Sequence, residues 1–212
     1  MNMSYLKNQL SAAMWGRVQL LWLALTAVAL GMGIFLVWMG GFVHSNVSDE
    51  LSAQQITFSA AANLTDEEKE IDGIVANAGK PMETGEQAKV YSELILLHMN
   101  ESATEVGFPG ATYATLGADQ RTLRADLATA KEGGDQAVID EAQAKLDSVT
   151  ALRNTMLTGS NLRASLLSAY GWDNVGFGVK IAGWVVMALG VVFLLLFVFE
   201  RRRGHLAPVA GS

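Results

Sequence analysis

The sequence predicts a mainly α-helical protein: two transmembrane helices flanking an extracytoplasmic helical domain that contains an antiparallel helical hairpin. Three observations predict it. Residues 20–43 and 178–199 form long apolar runs on either side of an acidic middle. Within that middle, apolar residues recur at three- and four-residue intervals, the helical period. A Gly133-Gly134 pair separates two such stripes, and so short a turn joins antiparallel neighbours. Charge divides the chain in the same way. Residues 44–177 hold 20 of the 21 acids against 9 bases, whereas the flanks hold 6 bases and Glu200. The formal net charge of −6 is the sum of these opposed blocks. Such a layout excludes a plain soluble globule, a nucleic-acid binder and a disordered acidic tail. With no Cys in the chain, disulfides, thiolate zinc sites and cysteine nucleophiles are excluded too.

Residues 1–19 form a short N-terminal segment with Lys7 and Arg17. The first span, 20–43, contains no charge and one hydroxyl, Thr26. A helix rises about 1.5 Å per residue, so roughly 20 residues cross the hydrocarbon of a bilayer. The run is too long for the apolar region of a cleaved signal, and Trp38-Met39-Gly40-Gly41-Phe42 offers no clean cleavage site, so it reads as an uncleaved anchor. The second span, 178–199, is apolar throughout from Ile181, and Lys180 at its start can snorkel outward. Arg201, Arg202 and Arg203 follow at once in the basic tail, 200–212. Basic flanks face the cytoplasm. Both termini are therefore expected inside a plasma membrane, with 44–177 outside. Trp22, Trp38, Phe42, Tyr170, Trp172 and Phe177 stand where aromatic rings meet headgroups, and a cofactor box is the rarer reading of such rings. Small residues four apart (Ala27 and Gly31, Ala29 and Gly33, Gly178 and Ala182) suggest a helix-packing face.

In the outer domain, residues 44–64 read as extended or irregular, with Gln54–Ser59 a short strand or a segment lying on the bundle. Thr65-Asp-Glu-Glu68 fits a capping box that opens a helix running to about Ala78. Thr84-Gly-Glu-Gln87 fits a second box. Its helix presents Ala88, Tyr91, Leu94, Ile95 and His98 on one side and stops at Gly107-Phe-Pro-Gly110. A third helix, about 118–131, carries Leu116, Gln120, Leu123, Leu127 and Ala130 as a narrow inner stripe. Asp135 can cap a fourth, about 136–157, where Ile139, Ala142, Leu146, Val149, Arg153 and Met156 repeat at 3, 4, 3, 4, 3, the seam of a helix pair. Ser160 can cap a last helix through Leu162, Leu166, Leu167 and Tyr170, lying on the membrane or running into the second span.

Catalytic patterns are missing. There is no G-x-S-x-G elbow, HExxH, GxxxxGK[ST] or GxGxxG. His98 shares a helix face with Glu101 and Glu105, a metal-ligand spacing, but a half-buried His beside solvated acids is the commoner meaning. No catalytic, cofactor or metal residue is expected. Transport would need ionisable groups within the spans, whose apolar runs 20–43 and 181–199 have none. A receptor would need an inner output domain, for which the inner segments are too short. The sequons at Asn46, Asn63 and Asn100 all fall in the outer domain.

The stretch Leu162–Trp172, LRASLLSAYGW, resembles a sequence that recurs just before the last span in uncharacterised actinobacterial membrane proteins. Thr84–Tyr91, TGEQAKVY, and Ile56-Thr57-Phe58 are similar to segments upstream in the same proteins. That family has two spans around an acidic outer domain, with Gly where Ala164 stands and Asn where Ser168 stands. The partial resemblance touches roughly a third of the chain. It implies an actinobacterial plasma membrane and assigns no functional residue.

The expected function is a non-catalytic accessory or scaffolding subunit whose outer domain docks on another membrane or envelope protein or forms a homo-oligomer. The bilayer is a second partner, and no nucleic acid is involved. The thin, Ala-rich stripes of the hairpin motivate this, because they call for a covering surface. The expected docking residues are Ile139, Leu146, Val149, Met156, Leu162, Leu166, Tyr170 and Trp172; Arg201, Arg202 and Arg203 set the topology. The alternatives are an extracytoplasmic ligand-binding or sensing component with its output in trans, and a cell-envelope hydrolase using His98.

Overall fold

A computed structural model describes residues 3–205, with side chains over 14–202. The chain is mainly helical. In order come α1 (Met3–Ala53), a 3-10 turn (Ala61–Asn63), α2 (Asp66–Lys69), α3 (Ile74–Asn77), α4 (Gly85–Glu105), α5 (Leu116–Gly133) and α6 (Gln136–His205). Among the described residues there is no strand, only an isolated antiparallel bridge between Thr57 and Pro81. Two helices, α1 and α6, are long and apolar enough to cross a membrane. The chain divides into two compact units: Val47–Asp173, and a unit made of the residues up to Asn46 and from Asn174 onward.

Helix lengths depart from expectation in three places. First, 44–53 is helical, because α1 runs on to Ala53. Val47 and Leu51 lie one turn apart, and Leu51 is buried in the core of the Val47–Asp173 unit with Val47 packed on it. The helix stops where Gln55 takes a positive φ of 54°. Second, the helix opened by Thr65 lasts one turn. Gly73, at φ 82°, reverses the chain so that Ile74 can be driven into the core. Third, Ser160 caps nothing. Helix α6 passes through it unbroken for 70 residues. At Gly159, between the expected helix end near 157 and the expected cap at Ser160, a Cβ would sit 2.5 Å from the Met99 sulfur. Its missing side chain admits α4, and the helix continues.

Both capping boxes form. The Glu68 amide donates to Thr65 Oγ1 at 3.1 Å, and Thr65 N–H donates to Glu68 Oε2 at 2.8 Å. Thr84 and Gln87 make the same exchange at 3.2 and 3.1 Å. Asp135 caps α6 through the Ala137 amide at 3.0 Å. Such caps satisfy orphan amides at helix starts, typically for about 1 kcal/mol each. The segment 56–58 lies beside 80–82, held by Phe58 N–H to Lys80 O and Met82 N–H to Ile56 O. The Phe58 ring then meets Tyr91 of α4 edge-on at 5.4 Å.

Within the Val47–Asp173 unit, two clusters of buried side chains form. One gathers Leu51, Phe58, Leu64, Ile74, Met82, Ala88, Leu94 and Leu166. The other gathers Ala103, Leu116, Val149, Leu152 and Met156, with Met99, Val106, Phe108 and Leu123 against it.

In the other unit, α1 and α6 approach through glycine. A Cβ on Gly33 would sit 2.9 Å from the Gly183 carbonyl oxygen, and one on Gly183 would sit 2.7 Å from the Val37 nitrogen. A Cβ on Gly40 would sit 2.5 Å from the Gly176 carbonyl oxygen, and one on Gly190 would meet the Leu30 side chain. The contacting glycines recur every seven residues, at 33 and 40 and at 176, 183 and 190. Seven residues are two helical turns, so each set lies on one face. Of the four-residue pairs expected to pack, two do not: Gly31 and Gly178 have open space around them, and Ala27 and Ala182 are exposed; of the third, Ala29 and Gly33, Gly33 meets α6. Trp22 and Phe193 add a ring contact at 5.8 Å.

Candidate functional site

Where α5 meets the first part of α6, the joint is polar as well as apolar. The Gln120 side-chain amide is almost fully buried and donates to Thr150 Oγ1 at 2.7 Å; that hydroxyl donates to Leu146 O at 2.7 Å. Arg153 donates to Gln120 Oε1 at 3.0 Å and to Tyr113 O at 3.3 Å, and its guanidinium lies 4.2 Å from the centre of the Tyr113 ring. Buried polar groups satisfied in this way fix register, because any slip strands one of them. Arg153 occupies a seam position that an apolar pattern alone assigns to packing.

The eight expected docking residues divide by burial. Val149, Met156 and Leu166 are 1–3 % exposed and lie inside the unit's own two clusters, so they offer no surface to a partner. The physical reason is that the lower seam already has a cover, made by Ala103 of α4 and by Val106, Phe108 and Ala111. Ile139 and Leu146, higher on the seam, stay half-buried. Tyr170 is half-buried with Lys89 Nζ over its ring at 5.2 Å. Leu162 and Trp172 stand 41 % and 59 % exposed. Arg201 and Arg202 are exposed at the end of α6; the side chains of Arg203, Lys7 and His205 lie outside the described residues.

His98 does not turn to Glu101 or Glu105. Its Nε2 lies 3.0 Å from Glu68 Oε1, linking α4 to α2. Hydrogen bonding from Thr65 N–H, and then from His98, outweighs burial and holds the Glu68 carboxyl below its usual range. No group of three metal-ligating side chains occurs among the described residues. Near His98, an open groove between α4 and α6 is lined by Ile95, Met99, Ser102, Asn154 and Thr158. A second groove lies between the arms of α5 and α6, lined by Leu123, Asp126, Ala130, Val138, Glu141 and Lys145.

Two contacts had no sequence signal strong enough to find them. Gly85, the first residue of α4, donates its amide to Asp173 Oδ2 at 3.2 Å, and a Cβ on Gly85 would collide with that side chain. Arg163 donates to Ser92 O at 3.0 Å and to Glu93 at 3.3 Å. Both join residues 70 or more apart in the chain, beyond any local pattern. No family model, curated protein or solved structure matches the chain.

Proposed function

We propose that this chain is a non-catalytic, two-span plasma-membrane protein, an accessory or scaffolding subunit that docks on another membrane or envelope protein through residues 44–177. The bare Leu162 and Trp172 side chains carry the reading. They stand on the same helix as the buried Met156 and Leu166, in a unit whose core is closed without them. Apolar side chains left outside a completed core support a reading as an interaction surface. We read α5 and the start of α6 as an antiparallel hairpin. The bonds Gln120–Thr150 and Arg153–Tyr113 support this, since the partner numbers fall along α6 as they rise from Tyr113, just before α5, to Gln120 on it. Lys7, Arg17 and the triple Arg at 201–203 support cytoplasmic termini and an outer 44–177. The resemblance in Leu162–Trp172 supports an actinobacterial membrane as its setting.

Photocrosslinking from Leu162 and Trp172 in intact membranes, followed by extraction in mild detergent, tests the docking role. A discrete adduct with a protein of defined mass is expected. Recovery of only free, unlinked chain ends the proposal.

The groove beside His98 favours a second reading, a ligand-sensing component whose output lies in trans. It requires a small molecule that raises the melting temperature of the intact chain in a saturable way. Loss of that shift in the Asn154→Leu variant would locate the ligand there.

A further inference from the structure

The α5–α6 pair has two sides, and they differ in charge. One side carries the groove, lined by Asp126 on α5 and by Val138, Glu141 and Lys145 on α6. Lys145 is engaged there by Glu141 at 2.6 Å. Residues two apart on a helix point about 200° away from one another. Arg124 therefore faces away from Asp126, and Asp147 away from Lys145. On this opposite side α5 presents Arg121, Arg124 and Lys131, and α6 presents Asp140 and Asp147, all exposed. The two acids are steadied by Gln136 and Gln143, whose amides donate to Asp140 and Asp147 at 2.8 and 2.9 Å. None of the three bases has an ion-pair partner among the described residues.

Spacing and level match as well as sign. Arg124 and Lys131 are seven apart, as are Asp140 and Asp147. The Gln120–Thr150 bond fixes the level of one helix against the other. Counting from it, Arg124 lies four residues along α5 and Asp147 three residues back along α6. Lys131 lies eleven along and Asp140 ten back. Basic and acidic rows thus stand side by side at equal heights on one face.

We propose that this face pairs with the same face of a second copy of the chain. The inference rests on the hairpin reading given above and goes beyond the docking role carried by Leu162 and Trp172, adding a second surface whose partner is another copy of the chain. A two-fold axis along the hairpin lays α5 of one copy against α6 of the other. Arg124 then meets Asp147 of the second copy and Lys131 meets its Asp140, twice over by symmetry, the self-complementarity that an isologous contact requires. Ala128 and Ala144 lie between the charges and let the helices approach. Charge also confines the contact to the hairpin. Residues 47–105 hold 12 acids against 3 bases, so a second copy is repelled there.

The test uses the full chain in detergent and in lipid nanodiscs, with self-association measured by single-molecule mass or energy transfer. Two charge-reversed chains are made, R124E/K131E and D140K/D147K, both at exposed positions; circular dichroism checks their helix content. Wild type is expected to dimerise. Each reversed chain alone is expected to dimerise at least about tenfold more weakly, and a mixture of the two is expected to recover as heterodimer. A monomeric wild type, or reversed chains that dimerise as wild type does, overturns the inference. If wild type is monomeric while crosslinking from Leu162 and Trp172 still captures a different protein, the docking role stands and the second copy is eliminated. If neither occurs, both fall.

Discussion

The Glu68 carboxylate serves two neighbours, closing the start of α2 with one oxygen and meeting His98 with the other. Because its folded-state pKa lies below the ordinary 4.5, it contributes stability above that pH and loses it as pH falls through the lower folded value. Glu68→Gln should lower stability at pH 7 by about 1–2 kcal/mol and remove part of the acid sensitivity below about pH 4.5. Thermal melts of the intact chain at pH 7 and pH 4 check this; equal losses at both would mean that the charge is irrelevant. Met156 and Leu162 separate core from surface in the same way. Met156→Ala should cost about 2–4 kcal/mol, since its side chain is only 1 % exposed. Leu162→Ala should change stability by less than about 0.5 kcal/mol yet weaken crosslinking to the partner. If the two variants melt alike, the division between buried and available seam residues is mistaken.

At the scale of elements, the glycine seam in the apolar unit makes a sharp contrast. Gly183→Leu should separate α1 from α6, since even a Cβ meets Val37 and Gly33 backbone atoms within 3 Å. A loss of about 1–3 kcal/mol is the usual cost of overpacking. Gly178→Leu, five residues away with open space around it, should be close to neutral. Melting in detergent of both variants decides between the seven-residue spacing seen here and the four-residue spacing that composition suggested. Much at this scale was legible. Caps at Thr65, Thr84 and Asp135, the face of α4 and the stripe of α5 all follow from residue type and period. What could not be read was decided by distant contacts. The helical state of 44–53 depends on Leu51 finding Leu166 and its neighbours, and the passage of α6 through Gly159 depends on Met99. Burial of Val149 and Met156 depends likewise on Ala103, Val106 and Phe108, which local spacing does not connect to the seam.

For the whole molecule, the central proposal is which side of the membrane residues 44–177 occupy. A chain without Cys is a blank background for labelling. A single cysteine at exposed Thr129 should react with a membrane-impermeant thiol reagent on intact cells, and one at Arg202 only after the cells are opened. The reverse result would invert the topology and withdraw the docking proposal with it. The two apolar runs were readable from sequence because hydropathy and length alone define them. Which leucines stay exposed was not, because the same leucine spacing serves an interior and a surface alike, and only burial tells Leu166 from Leu162.

The close approach of α1 and α6 has a genetic consequence. Every first- or second-position change in a glycine codon substitutes a bulkier residue or ends the protein. At Gly33, Gly40 and Gly183 the space for even one methyl group is taken by backbone of the facing helix. A saturating mutational scan should therefore find these codons nearly silent of survivors, while Gly31 and Gly41, within the same apolar run, drift freely.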